Sequence, residues 1–169
     1  MSPSMAARLI FFAAFLLLTA CAAPPLKRPA DMVAVASWRG RLALRVDADA
    51  PSAQAQSVTA SFELSGSPRQ GELTLYTPLG TTAAQLDWTD QNAVLRRNGE
   101  VRRFASLADL IGFTLGTEVP VAALFAWLSG EPVSTAGWNA DLSRHASGHI
   151  LARRELPAPV AEIRLVLEK

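Results

Sequence analysis

Hydrophobic and polar residues alternate along most of the chain beyond residue 36. In residues 38–46 one face collects apolar side chains and the other collects arginines. A period of two is typical of a β-strand with one buried face. The segments with this period are residues 38–46, 58–65, 72–76, 84–88, 93–97, 101–104, 138–142, 149–153 and 161–167. They predict an antiparallel sheet with one face in water, and Asn98-Gly99 predicts a hairpin with a type I′ turn, which needs positive φ.

A helical pattern interrupts the strands between residues 106 and 130. Ser106, followed three residues later by Asp109, has the spacing of a helix N-cap. Pro120 suits the first turn of a second helix, and Gly130 ends it. A single sheet hides its apolar face by curling or by being covered, so we expect the helices to cover it. The predicted fold is mainly β with a short α insert, and alternation alone does not separate a solid core from a ligand cavity.

The first 20 residues follow a different pattern. Arg8 is the only charged residue among them, and a mostly apolar run follows it before small residues appear. This order is typical of a secretory signal peptide. The alternative is a transmembrane anchor, which needs about 20 apolar residues, but Pro24 and Pro25 interrupt the run. We therefore predict a lipoprotein or secretory signal in residues 1–20.

The end of this run favours a lipoprotein signal. Leu18-Thr19-Ala20-Cys21 resembles the bacterial lipobox, and Cys21 is the only cysteine of the chain. The resemblance implies cleavage before Cys21, a diacylglyceryl group on its thiol and an acyl chain, such as palmitate, on its amine. Several acyl chains, at about 0.8 kcal/mol per buried methylene, anchor a protein durably in a membrane. The alternative is an unmodified cysteine near an ordinary cleavage site.

The segment after Cys21 is predicted to be a tether. Residues 21–35 contain three prolines, which favour an extended spacer, and residues 36–169 are predicted to form the folded domain. Ala22 follows the cysteine instead of aspartate, and by resemblance to enterobacterial sorting rules this implies transfer to the outer membrane.

Composition limits the chemistry that the chain supports. Its 169 residues predict one domain plus a tail, and a net charge of +1 argues against nucleic acid as a partner. One cysteine excludes an internal disulfide or a zinc site with several thiolates. His145 and His149 are too isolated for a metal site, and we interpret them as solvated hairpin residues. Without a nucleophile, phosphate-loop or metal motif, we predict no catalytic residue, cofactor or metal.

A loop between two predicted strands carries an unusual leucine. Pro78 and Gly80 predict a tight turn, type II-like if the glycine has positive φ. Leu79 lies between them, where polar residues are the default. Either Leu79 folds back onto the core, or it is exposed in order to touch a membrane or an apolar ligand.

Together these features resemble the LolB family of outer-membrane lipoprotein receptors. The matching parts are the lipobox, the strand Trp38-x-Gly40-Arg41-Leu42-Ala43-Leu44, the loop Thr77-Pro78-Leu79-Gly80-Thr81-Thr82, the helix Pro120-Val121-x-x-Leu124-x-x-Trp127-Leu128-x-Gly130-x-Pro132, and Trp138. The loop and the helix end are the specific parts of this resemblance. The resemblance covers nearly all of residues 21–169. Only 32 residues follow Gly137, so the number and length of the strands at the closing edge of the barrel are not determined by it.

The resemblance implies an incomplete, strongly curved antiparallel β-barrel that is capped by a helical lid and encloses an apolar cavity for acyl chains. Such a protein takes lipoproteins from a periplasmic carrier of the LolA type and inserts them into the inner leaflet of the outer membrane, without nucleotide hydrolysis. It is itself lipid-anchored in the outer membrane, facing the periplasm, and we expect a monomer.

The resemblance also implies residue roles. Leu79, flanked by Pro78 and Gly80, matches the membrane-insertion residue of the family. The residues that we expect to line the acyl-chain cavity are Trp38, Leu42, Leu44, Phe62, Leu73, Leu75, Leu86, Trp88, Leu110, Leu124, Trp127 and Leu128.

The arginines allow two interpretations. Arg39, Arg41 and Arg45 share the polar face of the first strand, and four more surround the turn at residues 98–99. They either keep the sheet surface soluble or dock an acidic surface of the carrier.

Two other functions stay open at this point. One is a structural envelope lipoprotein with a packed β-barrel and no ligand. The other is an enzyme that acts on lipids or envelope polymers, for which the sequence offers no obvious acid–base residue.

Overall fold

Nine β-strands and two α-helices form in the part of the chain that the computed structural model describes, namely residues 35–48, 54–115, 118–135 and 137–168. The strands are β1 Ser37–Val46, β2 Gln56–Gly66, β3 Gly71–Tyr76, β4 Thr82–Thr89, β5 Asn92–Arg97, β6 Glu100–Phe104, β7 Trp138–Asp141, β8 His149–Arg154 and β9 Ala161–Leu167. The helices are α1 Leu107–Leu115 and α2 Val121–Leu128, and His145–Ser147 forms a 3-10 turn. The predicted signal peptide and Cys21 lie outside the described residues.

All nine strands belong to one antiparallel sheet with the order β6-β5-β4-β3-β2-β1-β9-β8-β7. The sheet is strongly curled but not closed, because β6 and β7 are its two edges and do not pair with each other in the described residues. The predicted open barrel with a helical insert is therefore confirmed. The C-terminal third supplies three strands, of which β7 has only four residues.

The strands follow the predicted alternation. In β1 the side chains of Leu44 and Val46 are buried, while Arg41 and Arg45 are exposed. Hydrophobic positions of a strand recur on one face because successive side chains point to opposite sides. The result is a concave apolar face and a convex polar face.

The turn between β5 and β6 has the predicted type. Asn98 has φ 52° and Gly99 has φ 80°, as a type I′ turn requires. Arg97 pairs with Glu100 across this turn, so the hairpin register is fixed at its tip.

The two helices lie over the concave face and contribute Leu110, Phe125 and Leu128 to the core. Ser106 caps α1 as predicted, since its Oγ accepts a hydrogen bond from the Asp109 amide at 3.1 Å. Pro120 differs slightly from the prediction, because it is the N-cap of α2 and lies just before the first turn.

The end of α2 is a Schellman motif. The Glu131 amide donates to the Ala126 carbonyl at 2.9 Å and the Gly130 amide donates to the Trp127 carbonyl at 3.0 Å. Gly130 has φ 83°, which glycine adopts without steric cost. The predicted stop at this glycine is confirmed.

His145 is not the solvated residue that we expected. It is half-buried, and its Nε2 lies 3.0 Å from the Leu128 carbonyl oxygen at the end of α2. A Cβ atom at Gly130 would come within 2.8 Å of the His145 ring, so the ring lies against the glycine. The sequence pattern missed this contact because it joins two segments that are distant along the chain.

The sheet has two opposite ends. We call them the Trp88 end and the Leu79 end. The register pairs Gly71 with Trp88 and Ser37 with Ser65, so the start of β1 lies at the Trp88 end. The turns at residues 77–81 and 98–99, together with the end of β1, lie at the Leu79 end.

Candidate functional site

A cavity of about 380 Å³ lies between the concave face of the sheet and the two helices. Pockets that bind small molecules measure roughly 300–1,000 Å³, so this space has the size of a ligand site. The sequence left open whether the interior is a solid core or a cavity, and the structure contains a cavity. The interior is therefore not a solid core.

The cavity wall is almost entirely apolar, and ten of the twelve expected residues contribute to it. These ten are Leu42, Leu44, Phe62, Leu73, Leu75, Leu86, Trp88, Leu110, Leu124 and Leu128. Further apolar lining comes from Leu95, Leu107, Ile111, Phe125, Ile163 and Leu165. Such a wall favours an apolar ligand, because burying apolar surface releases about 25 cal/mol per Å².

Three aromatic rings close the cavity at the Trp88 end. Trp38 packs edge-on against Phe125 with 5.5 Å between the ring centroids, and Trp88 packs against the same ring at 6.4 Å. Trp88 is also held by a hydrogen bond from its Nε1 to the Ser67 carbonyl at 3.1 Å. Trp38 is half-buried against the core and is not among the residues that line the cavity, so its expected role there stays a prediction.

Trp127 also lies elsewhere than expected. It is completely buried, its ring centroid lies 6.3 Å from that of Trp138, and its Nε1 donates to the Val133 carbonyl at 2.9 Å. These contacts place Trp127 between α2 and β7 and not on the cavity wall. It anchors the helix that covers the cavity.

The Leu79 loop is a tight turn, though of a different type from the prediction. The Gly80 amide donates to the Thr77 carbonyl at 2.9 Å, which makes Leu79 the third residue of the turn. A type II turn needs positive φ there, but Asn98 is the only described non-glycine residue with positive φ. Gly80, with φ 79°, follows a type I turn and completes a three-residue hairpin loop.

The loop holds Leu79 in the solvent. The Leu79 side chain is 91% exposed, the largest fraction of any large hydrophobic residue in the described ranges. Thr77 and Thr81 close the base of the loop, with 2.8 Å between their Oγ1 atoms and 2.8 Å from the Thr77 amide to the Thr81 carbonyl. Leu79 is therefore exposed on an ordered hairpin and does not fold back onto the core.

The base of this loop also forms part of the cavity wall. Tyr76, Thr77 and Pro78 line the cavity. Lining residues at this end, such as Pro78 and Arg97, are exposed, whereas Trp88 and Leu128 at the other end are buried. The cavity therefore opens at the Leu79 end, and Leu79 extends beyond the opening.

A hydrogen bond on the convex face lies next to the base of the Leu79 loop. Tyr76 donates a hydrogen bond to Glu63 Oε2 at 2.9 Å. This bond is the main cause that raises the pKa of Tyr76, so its phenol remains a protonated donor. Among the residues that the structure describes, Arg97 is the one arginine that lines the cavity.

The three arginines of β1 lie away from the cavity. Arg39, Arg41 and Arg45 are exposed on the convex face of the sheet. Arg45 forms an ion pair with Asp47 at 2.8 Å. They are accessible to a partner but do not border the opening.

Arg154 is a structural residue that the sequence interpretation missed. It is 5% exposed, and its guanidinium donates to the Glu118 carbonyl at 3.2 Å and to the Pro159 carbonyl at 3.0 Å. The same group lies 5.6 Å from the centroid of Trp138. Arg154 thus joins the segment before α2 to β7 and to the loop before β9.

Neither a metal site nor a spanning helix occurs in the described ranges. No three His, Cys, Asp or Glu residues there are grouped so that they could hold a metal ion. The helices found there are also too short or too polar to cross a membrane.

Comparison with known proteins agrees with this architecture. The family model described as outer membrane lipoprotein LolB matches residues 36–155. The outer-membrane lipoprotein LolB of Neisseria meningitidis is 30% identical over 128 residues, which are 72% of this chain and 62% of that protein. The protein of the same name from Bordetella petrii is 27% identical over 176 aligned positions, which cover 90% of this chain and 87% of that protein. The chain therefore belongs to the LolB family.

Proposed function

We propose that this protein receives lipoproteins from a LolA-like periplasmic carrier and inserts them into the inner leaflet of the outer membrane. It binds the acyl chains of its cargo in the cavity and uses neither nucleotide nor covalent catalysis. It is anchored by lipid on Cys21 and faces the periplasm as a monomer. The observation that carries this proposal is the apolar cavity that opens beside an exposed leucine.

The energetics of such a transfer favour contact between apolar surfaces. An acyl chain that passed through water would lose roughly 0.8 kcal/mol for each exposed methylene. A cavity whose opening can meet the carrier and then the bilayer avoids this loss. No bond breaks during the transfer, so the activity needs no nucleophile.

Leu79 is the residue that contacts the bilayer at release. Full burial of a leucine side chain is worth about 1.5–3 kcal/mol, which permits a reversible contact. The hydrogen-bonded base at Thr77 and Thr81 keeps the leucine extended, so little order is lost when the loop enters lipid. Pro78 and Gly80 support the same conformation.

The test is the substitution Leu79→Glu in a reconstituted transfer assay. We expect this variant to accept lipoprotein from the carrier at the normal rate, because the cavity is unchanged. Delivery to liposomes should fall about tenfold or more, since a carboxylate does not enter the hydrocarbon. Leu79→Met, which preserves an apolar tip, should retain delivery.

Two results of this assay would contradict the proposal. Normal delivery by Leu79→Glu would show that the loop does not act at the membrane. Loss of both acceptance and delivery, with Leu79→Met equally impaired, would indicate that the loop serves only the fold.

We further propose that the arginines of β1 dock the carrier through an acidic surface. Their exposure on the convex face and their shared sign support this assignment. Replacing Arg39 and Arg41 by glutamate should slow acceptance from the carrier severalfold at low salt and less at high salt, because salt screens exposed charges. Arg164→Glu, on the neighbouring strand, is the matched control. If the glutamate variant accepts lipoprotein at the normal rate at low salt, these arginines do not dock the carrier.

A further inference from the structure

We infer that the loop between β8 and β9, residues 155–160, is a second membrane-contacting element that touches the same bilayer as the Leu79 loop. The inference rests on the proposed function, to which it adds a second point of contact. The partner is the lipid surface itself.

The loop presents an exposed apolar tip. Leu156 is 75% exposed, which among the described large hydrophobic residues is second only to Leu79. The loop begins with the exposed Glu155, next to the end of β8, and the five residues after it, Leu, Pro, Ala, Pro and Val at 156–160, carry no charge. Pro157 and Ala158 are exposed together with Leu156. A contiguous exposed apolar segment of this kind is unusual unless it meets another apolar surface.

The position of the loop points to the bilayer. The pairing of Val46 with Ala161 places the start of β9 beside the end of β1, which is at the Leu79 end of the sheet. Four strand spacings separate this loop from the Leu79 turn, or about 19 Å along the sheet at about 4.8 Å per spacing. The two most exposed leucines therefore lie at the same end of the half-barrel, on different parts of its curved wall.

Three contacts hold the loop in place. Arg154 donates to the Pro159 carbonyl at 3.0 Å, and the Asp47 amide donates to the Val160 carbonyl at 2.8 Å. Gly137, with φ 79°, lies so close to the Leu156 carbonyl that a Cβ atom would overlap it. A loop ordered in this way presents Leu156 without a large loss of conformational entropy on contact.

Two separated membrane contacts restrict the orientation of the domain more than one contact does. A domain attached by Leu79 alone could rotate about that point, whereas Leu79 and Leu156 together define a line on the membrane. Because the cavity opens at the same end, this line directs the opening toward the bilayer. A lipid surface fits this pair better than a protein groove, since it accepts apolar tips in many relative positions.

The direct test measures immersion of each position in lipid. The full mature chain with Leu156→Cys, Leu79→Cys or Val166→Cys is labelled with an environment-sensitive dye and placed in phosphatidylethanolamine–phosphatidylglycerol vesicles that contain nitroxide-labelled lipid. Val166 is the control, because it is exposed but pairs with Arg41 and His149 toward the Trp88 end. The unsubstituted chain controls for dye attached to any Cys21 thiol that is not lipidated.

We expect quenching of the dye at positions 79 and 156 and none at position 166. Quenching at 79 without quenching at 156 would overturn the second contact and leave the proposed function standing. Quenching at neither position would contradict the membrane contact of the proposed function as well.

The functional test is Leu156→Glu in the transfer assay. Delivery to liposomes should fall about tenfold, the effect of removing part of a leucine's apolar burial, while acceptance from the carrier stays normal. Leu156→Met, which preserves an apolar tip, should leave both steps unchanged. Full delivery by Leu156→Glu, in a variant that still folds by circular dichroism, would overturn the inference.

Discussion

Two glycines differ sharply in the space around their α-carbons. A Cβ atom at Gly71 would lie 2.6 Å from Cζ2 of the Trp88 ring, which belongs to the aromatic group that closes the cavity. A Cβ atom at Gly112, within α1, would have no neighbour within 4 Å. The same substitution therefore has opposite consequences at these two residues.

We expect Gly71→Ala to lower the free energy of unfolding by about 1–3 kcal/mol, since the ring and the strand must separate to admit the methyl group. Gly112→Ala should raise it by about 0.5–1 kcal/mol, because alanine favours a helix interior over glycine. Urea denaturation of both variants measures the difference. Equal changes in both variants would mean that the closed end of the cavity yields more easily than the contacts indicate.

Arg97 and Arg154 show what strand alternation could have revealed. Arg97 shares its strand face with Ala93 and Leu95, and Arg154 shares its face with Ile150 and Ala152. The charge of these arginines suggests that their side chains lie on the polar face of the sheet. Their position in the period of two instead predicts that they lie on the inner face. Alternation does not tell whether such an arginine is exposed or buried. Arg97 is exposed at the open rim, whereas Arg154 is buried and donates to carbonyl groups in the interior.

Among the elements, α1 is the one that depends most on a single cap. It has only nine residues, and helices this short form in water only with help from caps and packing. Ser106 Oγ accepts from the Asp109 amide and donates to the Asp109 carboxylate at 2.7 Å. The cover of the cavity therefore begins at a cap that one hydroxyl group supplies.

Replacing Ser106 by alanine should destabilise α1 by about 1 kcal/mol. Because a loss of about 1 kcal/mol raises the population of the opened helix several times, the α1 amides should exchange hydrogen several times faster. Leu107 and Leu110 of this helix line the cavity, so the loosened segment is part of its cover. Hydrogen exchange of the α1 amides measures the effect, with Ser106→Thr as the variant that retains the cap. Unchanged exchange in Ser106→Ala would mean that packing against β5 and β6 alone holds the helix.

Local signals predicted the elements better than the connections between them. Asn98-Gly99 specifies its turn through the φ that two adjacent residues prefer. The type of the Leu79 turn depends on which residue occupies its third position, and that is decided by the Gly80–Thr77 hydrogen bond. A proline and a glycine two residues apart allow a type II turn with the glycine in the third position, and also a type I turn that the glycine follows.

At the scale of the whole molecule, the cavity depends on how far the sheet curls and how closely the helices approach it. Alternation identifies which side chains point inward, and ten of the expected residues line the space. Alternation does not tell whether an aromatic side chain that points inward borders the cavity or packs against another aromatic side chain. Trp38, packed against Phe125, and Trp127, packed against Trp138, are not among the lining residues, whereas Trp88, which also packs against Phe125, is one of them.

The start of β1 at the Trp88 end sets a minimum length for the attachment of the domain. If the proposed lipid on Cys21 and the proposed bilayer contact of Leu79 share one leaflet, the attachment must be at least as long as β1, whose ten residues rise about 33 Å. The sixteen peptide units from Cys21 to Ser37 reach at most about 55 Å. The reach exceeds the height by only about 20 Å. Under the proposed function, a domain that lost half of this attachment would keep its lipid anchor, but its opening could not reach the same membrane.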